Sequence, residues 1–454
     1  MRPRPLSEIA GAVDGILHGE HAVASSVVID SRLAEPGALF VALAGEHADG
    51  HAFVGDALSR GAAGAVVERR PAGEEPTIVV DDTGRALLAL AADERRAMTG
   101  VTVIAITGAN GKTSTKDLAT SVLSTRLPTH ASPASFNNEI GLPLTLLGAP
   151  ADAEVIVAEM GARREGDVAA LCEVARPGVV VVTNLGVAHM EIFGSWDAIV
   201  RSGTEPVDAL GPDDVAILNA DDPVVAGFAS RARARVRTFG VSAGADVRAE
   251  DIALDEDGRA SFTLAMGDER ERVELAVPGE HMVSNALAAA ACGAELGISA
   301  AECAAALKGA HVSRWRMESF TTSAGVRIVN DAYNANPESM AAGLKAARWM
   351  ARSSRLAAVL GHMAELGPIA LEEHERLGEL VVRIGVERLI TVGRPAEQIA
   401  RAAIREGALP ADVASYGTPE DAVADLAAWM RAGDVVLVKG SRVAGLERVA
   451  EALR

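Results

Sequence analysis

Short apolar runs alternate with longer alanine- and leucine-rich segments from one end of the chain to the other. The short runs have the length of single strands, and the longer segments carry apolar residues at helical spacing. Strands that alternate with helices usually pack as a parallel sheet covered by helices, so the pattern predicts an α/β protein. We find no fixed-period repeat and no low-complexity segment.

The alternation separates into three units, of which the first is predicted to span residues 1–99. It ends with a helix predicted for Thr83 to Met98, just before the pair Thr99 and Gly100. Its predicted strands are ALFVAL (38–43), GAVVE (64–68) and TIVV (77–80).

The second unit, residues 100–312, opens with the apolar run VTVIAIT (101–107), which leads directly into a glycine-rich turn. Between residues 235 and 277 charged residues interrupt the apolar runs, which predicts antiparallel strands at one side of the sheet. The remaining predicted elements are strands at EVIVAEM (154–160), GVVVVTNL (178–185) and DVAILNA (214–220) and a helix at SNALAAAACGAEL (284–296).

The third unit, residues 313–454, follows a predicted joint at GAHVSRWRME (309–318). Its predicted strands are VRIVND (326–331), RLAAVLG (355–361), RLITVG (388–393) and DVVLVKG (434–440). The sequence therefore predicts three α/β domains in series.

The composition of the chain is consistent with several folded domains, and its net charge excludes some classes of binding partner. The 454 residues exceed one ordinary core, and 49% hydrophobic with 23% charged residues is typical of a soluble globular protein. A formal net charge of −19 argues against binding to nucleic acid or to an anionic membrane, since both need clustered Lys and Arg.

The chain also has no apolar segment of the length that a signal peptide or a membrane span requires, so we expect a cytoplasmic protein without membrane insertion. A monomer is expected, although no feature of the sequence fixes the oligomeric state. The three cysteines, Cys172, Cys292 and Cys303, lack the spacing of a metal site and are predicted to be buried reduced thiols.

The glycine-rich turn is the first candidate site. VTVIAIT ends on Gly108-Ala109-Asn110-Gly111-Lys112-Thr113, which is shorter than the usual phosphate-binding loop, and a helical segment follows. A strand, a glycine turn and a helix N-terminus together form an anion site, because backbone N–H groups and the helix dipole both favour phosphate. Lys112 would reach the outer phosphates and Thr113 would place its hydroxyl on Mg²⁺.

The loop TGANGKT (107–113) resembles that of the Mur ligases, a family of ATP-dependent enzymes that add amino acids to the cell-wall precursor. Further motifs follow in family order: SFNNEIGLPLTLL (135–147), NLGVAHMEIFGS (184–195), LNADDP (218–223), GEHMVSNALAAAA (279–291), SRWRME (313–318) and NDAYNANPESM (330–340). SFNNEIG, YNANP and the stretch from 30 to 53 resemble the branch that adds D-alanyl-D-alanine to UDP-N-acetylmuramoyl-tripeptide.

This resemblance implies a central P-loop-type ATPase domain, a C-terminal Rossmann-like domain and amide formation through an acyl phosphate, with ATP and Mg²⁺ as cofactors. The implied catalytic residues are Lys112, Glu159, His189 and Arg316, of which Glu159 and His189 are implied metal ligands together with Thr113. The implied nucleotide-binding residues are Gly108, Asn110, Gly111, Lys112, Thr113, Ser114, Asn285, Arg316, Asp331 and Tyr333.

The resemblance also implies a binding site for the UDP-sugar peptide and for D-alanyl-D-alanine. Arg32 is the natural partner of the diphosphate, because its guanidinium can bind two oxygens. The residues implied are Ser31, Arg32, Gly45, Asp49, Gly50, His51, Asn137, Asn138, Asn334 and Asn336. The identity of the third peptide residue stays open.

Two positions depart from the family pattern. The family carries a carbamylated lysine that helps to hold a second Mg²⁺, and alignment on Glu205 puts Gly203 at that position. No lysine lies between Lys116 and Lys308, so a shift in alignment does not restore it, although Glu205 is a candidate substitute ligand. His362 stands where the family usually has an acidic residue.

Three hypotheses remain open at this point. The first is an active D-alanyl-D-alanine-adding ligase that compensates for the missing lysine. The second is a divergent Mur-type ligase with another substrate, and the third is a non-catalytic pseudo-ligase that binds nucleotide or UDP-sugar.

Overall fold

The computed structural model describes residues 1–45, 48–70, 73 and 76–454. These residues form three large sheets, of five, nine and six strands, together with a two-stranded ribbon. Positions 46 and 47, inside the stretch from 30 to 53, lie outside the described residues. No helix within the described ranges is long and apolar enough to cross a membrane.

The N-terminal unit is a five-stranded sheet in the order β2-β7-β6-β5-β4, parallel except for β2. All three predicted strands and the predicted helix are present, and the helix ends one residue early because Met98 is its C-cap. The elements are β1 (Arg4–Pro5), α1 (Leu6–Ala12), β2 (Ile16–His18), β3 (Val23–Ala24), β4 (Ser26–Val28), β5 (Ala38–Val41), α2 (Val54–Ser59), β6 (Gly64–Val67), β7 (Thr77–Val79) and α3 (Thr83–Ala97).

The central unit is a nine-stranded sheet in the order β16-β15-β14-β13-β12-β11-β8-β10-β9. Its first half runs β8 (Thr102–Thr107), α4 (Lys112–Leu123), β9 (Thr129–Ala131), α5 (Gly141–Leu147), β10 (Val155–Glu159), α6 (Asp167–Ala175), β11 (Val179–Val182), α7 (Met190–Phe193) and α8 (Trp196–Asp208). Its second half runs β12 (Val215–Asn219), α9 (Pro223–Gly227), β13 (Arg235–Gly240), β14 (Val247–Leu254), β15 (Arg259–Met266), β16 (Glu269–Pro278), α10 (Met282–Glu295) and α11 (Ala300–Lys308).

Strand β8 lies at the point where the strand order of this sheet reverses. Its two neighbours, β10 and β11, both follow it in the chain but lie on opposite sides of it, and all three are parallel. Ligands of open α/β sheets bind in the crevice beyond the carboxyl ends of such strands. The glycine turn after β8 is therefore placed where a ligand site is expected.

The antiparallel prediction for residues 235 to 277 is only partly correct. Strands β14, β15 and β16 pair antiparallel, but β13 pairs parallel with both β12 and β14. The prediction was wrong for β13 because its charged residues were taken as a solvent-exposed face. Arg235 and Arg237 instead form ion pairs with Glu295 of α10.

The C-terminal unit is a six-stranded sheet in the order β17-β18-β22-β19-β20-β21, parallel except for the β17–β18 pair. All four predicted strands are present. The elements are β17 (Glu318–Thr321), β18 (Arg327–Asn330), α12 (Pro337–Ala351), β19 (Leu356–Gly361), α13 (Ala370–Ile384), β20 (Arg388–Val392), α14 (Glu397–Glu406), β21 (Val413–Tyr416), α15 (Pro419–Trp429), β22 (Val435–Lys439) and α16 (Glu447–Ala452). The predicted unit boundaries at 99/100 and 312/313 stay predictions.

Helix α10 packs tightly against α4, the helix that begins at the glycine turn. Residues 286–291 of α10 are fully buried, and the five alanines among them let the two helices approach closely. A Cβ at Gly293 would lie 2.8 Å from Cγ1 of Val122 on α4. This packing fixes the start of α4 relative to the sheet.

The three cysteines are free and buried, as predicted. Burial raises the pKa of all three thiols to about 12, which leaves them protonated and unreactive.

Candidate active site

The turn after β8 needs glycine at two positions. Gly108 and Gly111 have φ values of +131° and +81°, in the region that L-residues avoid. A Cβ at Gly108 would overlap Oγ1 of Thr183, and a Cβ at Gly111 would overlap Oδ1 of Asn285. The backbone of the turn is therefore packed directly against the neighbouring strand and helix.

The turn is also held by hydrogen bonds from the end of β11. The Asn110 amide donates to Oδ1 of Asn184 at 2.8 Å, and the Thr183 hydroxyl donates to the Asn110 carbonyl at 2.7 Å. Helix α4 then begins at Lys112, and its first intrahelical acceptor is the Gly111 carbonyl, bonded by Thr115. The N–H groups of Lys112, Thr113 and Ser114 have no partner inside the helix, so they form a preorganised anion site.

Lys112 supplies the positive charge of this turn. Its Nζ donates to the Gly108 carbonyl at 2.7 Å, which keeps the ammonium beside the turn. Burial lowers the pKa of Lys112, the Glu159 carboxylate opposes that change, and the Arg316 guanidinium adds to it.

Glu159 ends β10 and is almost fully buried. It accepts a hydrogen bond from the Thr113 hydroxyl at 2.8 Å and another from Nδ2 of Asn137 at 2.8 Å. These bonds offset the cost of burying the carboxylate. The structure thus brings together three residues that the sequence analysis singled out separately.

The segment from 132 to 138 is tied to α4 by a buried lysine. Lys116 is 3% exposed and donates from Nζ to the carbonyls of Ser132 and Ala134, each at 2.8 Å. Asn138 acts at the other end of this segment, where its Oδ1 accepts from the Gly141 amide at the start of α5. Asn138 therefore has a capping contact here, and its role in substrate binding stays a prediction.

Arg316 reaches the glycine turn from the C-terminal unit. Its Nη2 donates to the Thr113 hydroxyl at 3.2 Å, and its guanidinium carbon lies 4.0 Å from the ring centre of Tyr333. Such cation–π contacts stabilise by about 0.5–2 kcal/mol. The Arg316 Nε is buried and has no hydrogen-bond partner among the described residues.

Asp331 and Lys439 form a buried ion pair next to Arg316. The Lys439 Nζ lies 2.5 Å from Oδ2 of Asp331 and also donates to the Asn334 carbonyl at 3.0 Å. The other carboxylate oxygen of Asp331 accepts from the Met317 amide at 3.1 Å. The pair therefore holds the loop of Tyr333 and Asn334 against the segment that carries Arg316.

Asn336 bridges the C-terminal and central units. Its Nδ2 donates to Oδ1 of Asn110 in the glycine turn at 2.7 Å, while its Oδ1 caps α12 by accepting from the Ser339 amide. A direct contact of this side chain with substrate stays a prediction.

His189 meets a carboxylate that the sequence analysis did not single out. Its Nδ1 lies 2.5 Å from Oε2 of Glu365, which belongs to the C-terminal unit. Burial lowers the pKa of His189, Glu365 opposes that change, and Lys112 adds to it. The implied role of His189 as a metal ligand stays a prediction.

Asn285 lies underneath the glycine turn. Its Oδ1 accepts from the Thr115 hydroxyl at 3.4 Å, and its Nδ2 contacts the Met282 sulfur at 3.4 Å. Contact of this amide with an adenine ring stays a prediction.

The predicted UDP-sugar residues lie beyond the carboxyl ends of β4 and β5, which are neighbouring parallel strands. The Asp30 carboxylate pairs with Arg32 at 2.6 Å, and that guanidinium lowers the pKa of Asp30 to about 2. Arg32 is 81% exposed, so it is open to a ligand in solvent. Ser31 and the turn Gly50–Phe53 both pack against α2.

A second group in this region is built around Asp49. Its Oδ1 accepts from Nδ1 of His51 at 2.6 Å, while Nε2 of His51 accepts from the Glu68 amide at 2.9 Å. Gly50 has no room for a side chain, since a Cβ would lie 2.7 Å from the Leu43 carbonyl. Gly45 bonds the Ala48 carbonyl at 2.9 Å. Helix α5 packs against β4 and begins just after Asn137, so it links this region to Glu159 beside the glycine turn.

At Gly203, the Leu185 side chain fills the space that a larger residue would need. Gly203 lies on α8, and a Cβ there would meet Cδ2 of Leu185 at 2.8 Å. The Glu205 carboxylate bonds the Gly166 and Ala169 amides at the start of α6, which gives it a structural contact. Its role as a substitute metal ligand stays a prediction.

The side chains fit a metal ion that is bound together with a nucleotide. Among the described residues no group of three or more His, Cys, Asp and Glu side chains is arranged to hold a metal. Mg²⁺ in nucleotide enzymes typically takes one or two protein oxygens and completes its shell with phosphates and water. The Thr113 hydroxyl and the Glu159 carboxylate match that donor set.

Comparison with known families gives the class of this protein. The "Mur ligase family, catalytic domain" matches residues 24–95, the "Mur ligase middle domain" matches 106–293, and "Mur ligase, glutamate ligase domain" matches 315–442. These matches cover well over half of the chain, which therefore belongs to the Mur ligase family.

Individual relatives cover nearly the whole chain. A curated Mycobacterium bovis protein, UDP-N-acetylmuramoyl-tripeptide--D-alanyl-D-alanine ligase, is 42% identical over 98% of this chain and 96% of its own. A crystal structure of MurF from Acinetobacter baumannii matches with a TM-score of 0.89 and 31% identity, covering 100% and 99% of the two chains. MurF from Thermotoga maritima in complex with ADP matches with a TM-score of 0.82 and 29% identity, covering 95% and 97%.

The family, its branch and the α/β architecture predicted from the motifs are thus confirmed. Sequence reasoning missed Lys116, Lys439 and Glu365. A signal for the two lysines was available, because the chain has only five lysines and otherwise uses arginine. No local signal pointed to Glu365, which is 176 residues from its partner.

Proposed function

We propose that this chain is an ATP-dependent ligase that joins D-alanyl-D-alanine to UDP-N-acetylmuramoyl-tripeptide in peptidoglycan precursor synthesis. The protein is a carbon–nitrogen ligase, and relatives of that activity align over 98% of its length. ATP and a UDP-linked precursor place the proposed reaction in the cytoplasm.

The observation that carries the mechanism is the meeting of two units at Thr113. Lys112 and Arg316 bring two cations to one edge of the glycine turn, and Glu159 lies on the other side of the Thr113 hydroxyl. Phosphoryl transfer needs positioning and positive charge more than it needs covalent chemistry from the protein. Arg316 comes from the C-terminal unit, so docking of that unit completes the site.

In the first proposed step, a tripeptide carboxylate oxygen attacks the γ-phosphorus of ATP. The bond between that phosphorus and the β–γ bridging oxygen breaks, and ADP is the leaving group. The tripeptide then carries the transferred phosphate as an acyl phosphate. The amides of α4 and the two cations hold the transferred group in line and offset its negative charge. A bound Mg²⁺, held by Thr113 and Glu159, would add further neutralising charge.

In the second proposed step, the neutral amine of D-alanyl-D-alanine attacks the acyl carbon. The carbon–oxygen bond to phosphate breaks, and the departing phosphate takes the proton that the amine loses as the amide forms. Asn137 is placed to orient a substrate group here, because its amide is already fixed by Glu159. Exclusion of water is essential, since an acyl phosphate hydrolyses readily when water reaches it.

The N-terminal unit would bind the UDP-sugar end of the precursor. The exposed Arg32 would supply a guanidinium for the diphosphate. The turn around Asp49, held by its hydrogen bond to His51, would form part of the wall of the same binding site. Helix α5 packs against β4 and follows directly on Asn137 and Asn138, so the peptide would run along this helix toward the glycine turn.

The test measures phosphate release by the purified protein with ATP, Mg²⁺ and UDP-N-acetylmuramoyl-tripeptide, with and without D-alanyl-D-alanine. Release that depends on the dipeptide, with the pentapeptide product detected by mass, supports the proposal. Lys112→Met should abolish release, whereas Lys308→Met, at an exposed lysine, should not change it. Nucleotide binding without product would instead favour a divergent substrate or a pseudo-ligase.

A further inference from the structure

The contact between His189 and Glu365 joins two loops that the fold holds in unusual conformations. Both residues are non-glycine residues with positive φ, +60° and +61°. Such conformations cost about 1–3 kcal/mol each and persist only where the surrounding structure imposes them. Two of them facing each other across a unit boundary indicate that this contact is built into the fold.

The two loops also touch through their backbones. The Glu191 amide donates to the Glu365 carbonyl at 3.0 Å. A Cβ at Gly367 would lie 2.8 Å from Cα of Glu191, so the chains approach at the closest distance that glycine permits. Backbone contacts between the two loops therefore fix the position of the Glu365 carboxylate next to His189.

The loop that carries Glu365 is rigid before it reaches His189. The Met363 amide donates to Nε2 of the buried His374 at 3.0 Å, and the Ala364 amide donates to the Ser441 hydroxyl at 2.8 Å. Each of these bonds anchors the loop to the C-terminal unit. Glu365 is therefore expected to move together with the C-terminal unit.

The hydrogen bond decides which ring nitrogen of His189 is available. A carboxylate only accepts, so Nδ1 carries the proton and Nε2 keeps its lone pair. Histidines that bind metals commonly donate their other nitrogen to a carboxylate, which fixes the ring and its tautomer. Among the described residues, Glu365 is the carboxylate that hydrogen-bonds this ring, and Gly203 on the neighbouring helix offers none.

We infer that Glu365 is a positioning residue for the ligase reaction. When the C-terminal unit docks, its carboxylate holds the Nδ1 proton of His189 and orients the imidazole with Nε2 free for the Mg²⁺–nucleotide. This role rests on the proposed function. Docking of the C-terminal unit would thereby set the orientation of the His189 side chain, which lies at the start of the short helix α7 in the central unit.

The first test reads the tautomer of His189 directly. Protein labelled with ¹⁵N and ¹³C in histidine is observed by NMR with ADP and Mg²⁺, and His189→Gln assigns the signal. The wild type should show the Nδ1–H tautomer, and Glu365→Ala should shift the ring toward the Nε2–H tautomer. An unchanged tautomer in Glu365→Ala would overturn the inference, whether or not the protein is active.

The second test separates positioning from folding by kinetics. Glu365→Gln keeps the shape of the side chain and should lower kcat by about 10- to 100-fold, the usual effect of removing such a carboxylate partner. KM for the tripeptide should change less than twofold, because Glu365 touches no substrate. A rise of about 10- to 100-fold in KM for the tripeptide with an unchanged kcat would contradict the inference.

A matched control is available on the same unit. Glu375 pairs with Arg405 at 2.7 Å, and its side chain is 35% exposed compared with 37% for Glu365. Glu375→Gln should leave both the His189 tautomer and kcat unchanged. If the wild type itself makes no pentapeptide while the tautomer still depends on Glu365, the proposed function fails and the positioning contact stands.

Discussion

Arg316 of the C-terminal unit donates a hydrogen bond at 3.2 Å to the hydroxyl of Thr113, the second residue of the helix that follows the glycine turn. The two residues are 203 positions apart in the chain. Their contact brings a guanidinium to the place where phosphoryl transfer needs positive charge. The site is therefore complete only when the third unit rests on the second.

Arg316→Lys should lower kcat strongly. Lysine keeps the charge but loses both the planar stack on Tyr333 and the forked set of donors, of which Nε lies buried without a partner among the residues described. Loss of one preorganised hydrogen-bond donor to the transition state typically costs about 2.7–4 kcal/mol, or 10²- to 10³-fold in rate. Steady-state phosphate release measures the effect. Arg314→Lys, two residues away and 67% exposed, is the control and should retain wild-type turnover.

Lys439→Met should destabilise the C-terminal unit. It removes the cation from a buried pair and leaves the Asp331 carboxylate without compensation, which typically costs about 3–5 kcal/mol. The double variant Lys439→Met/Asp331→Asn should recover much of the lost stability but not the activity, because it loses the bond from Lys439 to the Asn334 carbonyl beside Tyr333, on which Arg316 stacks. Urea unfolding and phosphate release of the same samples test both statements. A single variant as stable as the wild type would show that the pair is not structurally important.

Gly203→Lys examines the family lysine that this chain lacks. The new side chain must displace Leu185, whose Cδ2 would lie 2.8 Å from the added Cβ. The strain of about 1–3 kcal/mol is partly offset by about 1 kcal/mol from replacing a helical glycine. If carbamylation adds a useful carboxylate, turnover should rise with bicarbonate.

Gly203→Met is the control for that variant, since it has similar length but cannot be carbamylated. Equal responses of the two variants to bicarbonate would refute the explanation of Gly203 as a missing metal carboxylate.

Acidification should loosen the loop that carries Glu365. The buried His374 accepts from the Met363 amide through Nε2 and donates to the Ala370 carbonyl through Nδ1, so its neutral form is required. Burial lowers the pKa of His374 below 6.5, although the Ala370 carbonyl and Glu373 oppose this. As pH falls below 6.5 the unfolded ring takes up a proton before the folded ring does, so stability is lost between 6.5 and the lowered pKa.

Hydrogen exchange of the segment 362–366, corrected for the intrinsic rate, measures this effect. Protection should fall from pH 7.5 to pH 5.5 in the wild type and much less in His374→Gln, which cannot titrate. A loss of protection that is identical in the two proteins would exclude His374 as the cause.

The sequence predicted the strands that are buried on both faces from their composition, and it predicted β15 and β16 from alternating apolar and polar residues. Strands β8, β10, β11 and β12 have continuous apolar runs because helices cover both sides of a parallel sheet. The short strand β9 and the edge strands β17 and β21 were missed, since half-exposed positions and short length leave little periodicity. The parallel pairing of β13 depends on its neighbours and not on its own residues.

The site divides in a similar way. The glycine turn is local, and its strand, glycines, lysine and threonine are adjacent in the chain, so the sequence alone indicates a phosphate site. Glu159 was named because the family resemblance implies a metal ligand at that position. The pairs His189–Glu365 and Asp331–Lys439 join residues more than 100 positions apart, and only the packing of the units shows them. Roles in binding substrate stay predictions for Arg32, Asp49 and Asn334.

The most direct test of the central claim, that the phosphate of ATP activates the tripeptide carboxylate, follows oxygen through the reaction. UDP-N-acetylmuramoyl-tripeptide labelled with ¹⁸O in the reacting carboxylate is incubated with ATP, Mg²⁺ and D-alanyl-D-alanine, and the released phosphate is analysed by mass. Attack of the carboxylate on the γ-phosphorus predicts one ¹⁸O atom in each phosphate molecule. Unlabelled phosphate accompanying pentapeptide would contradict the acyl-phosphate route.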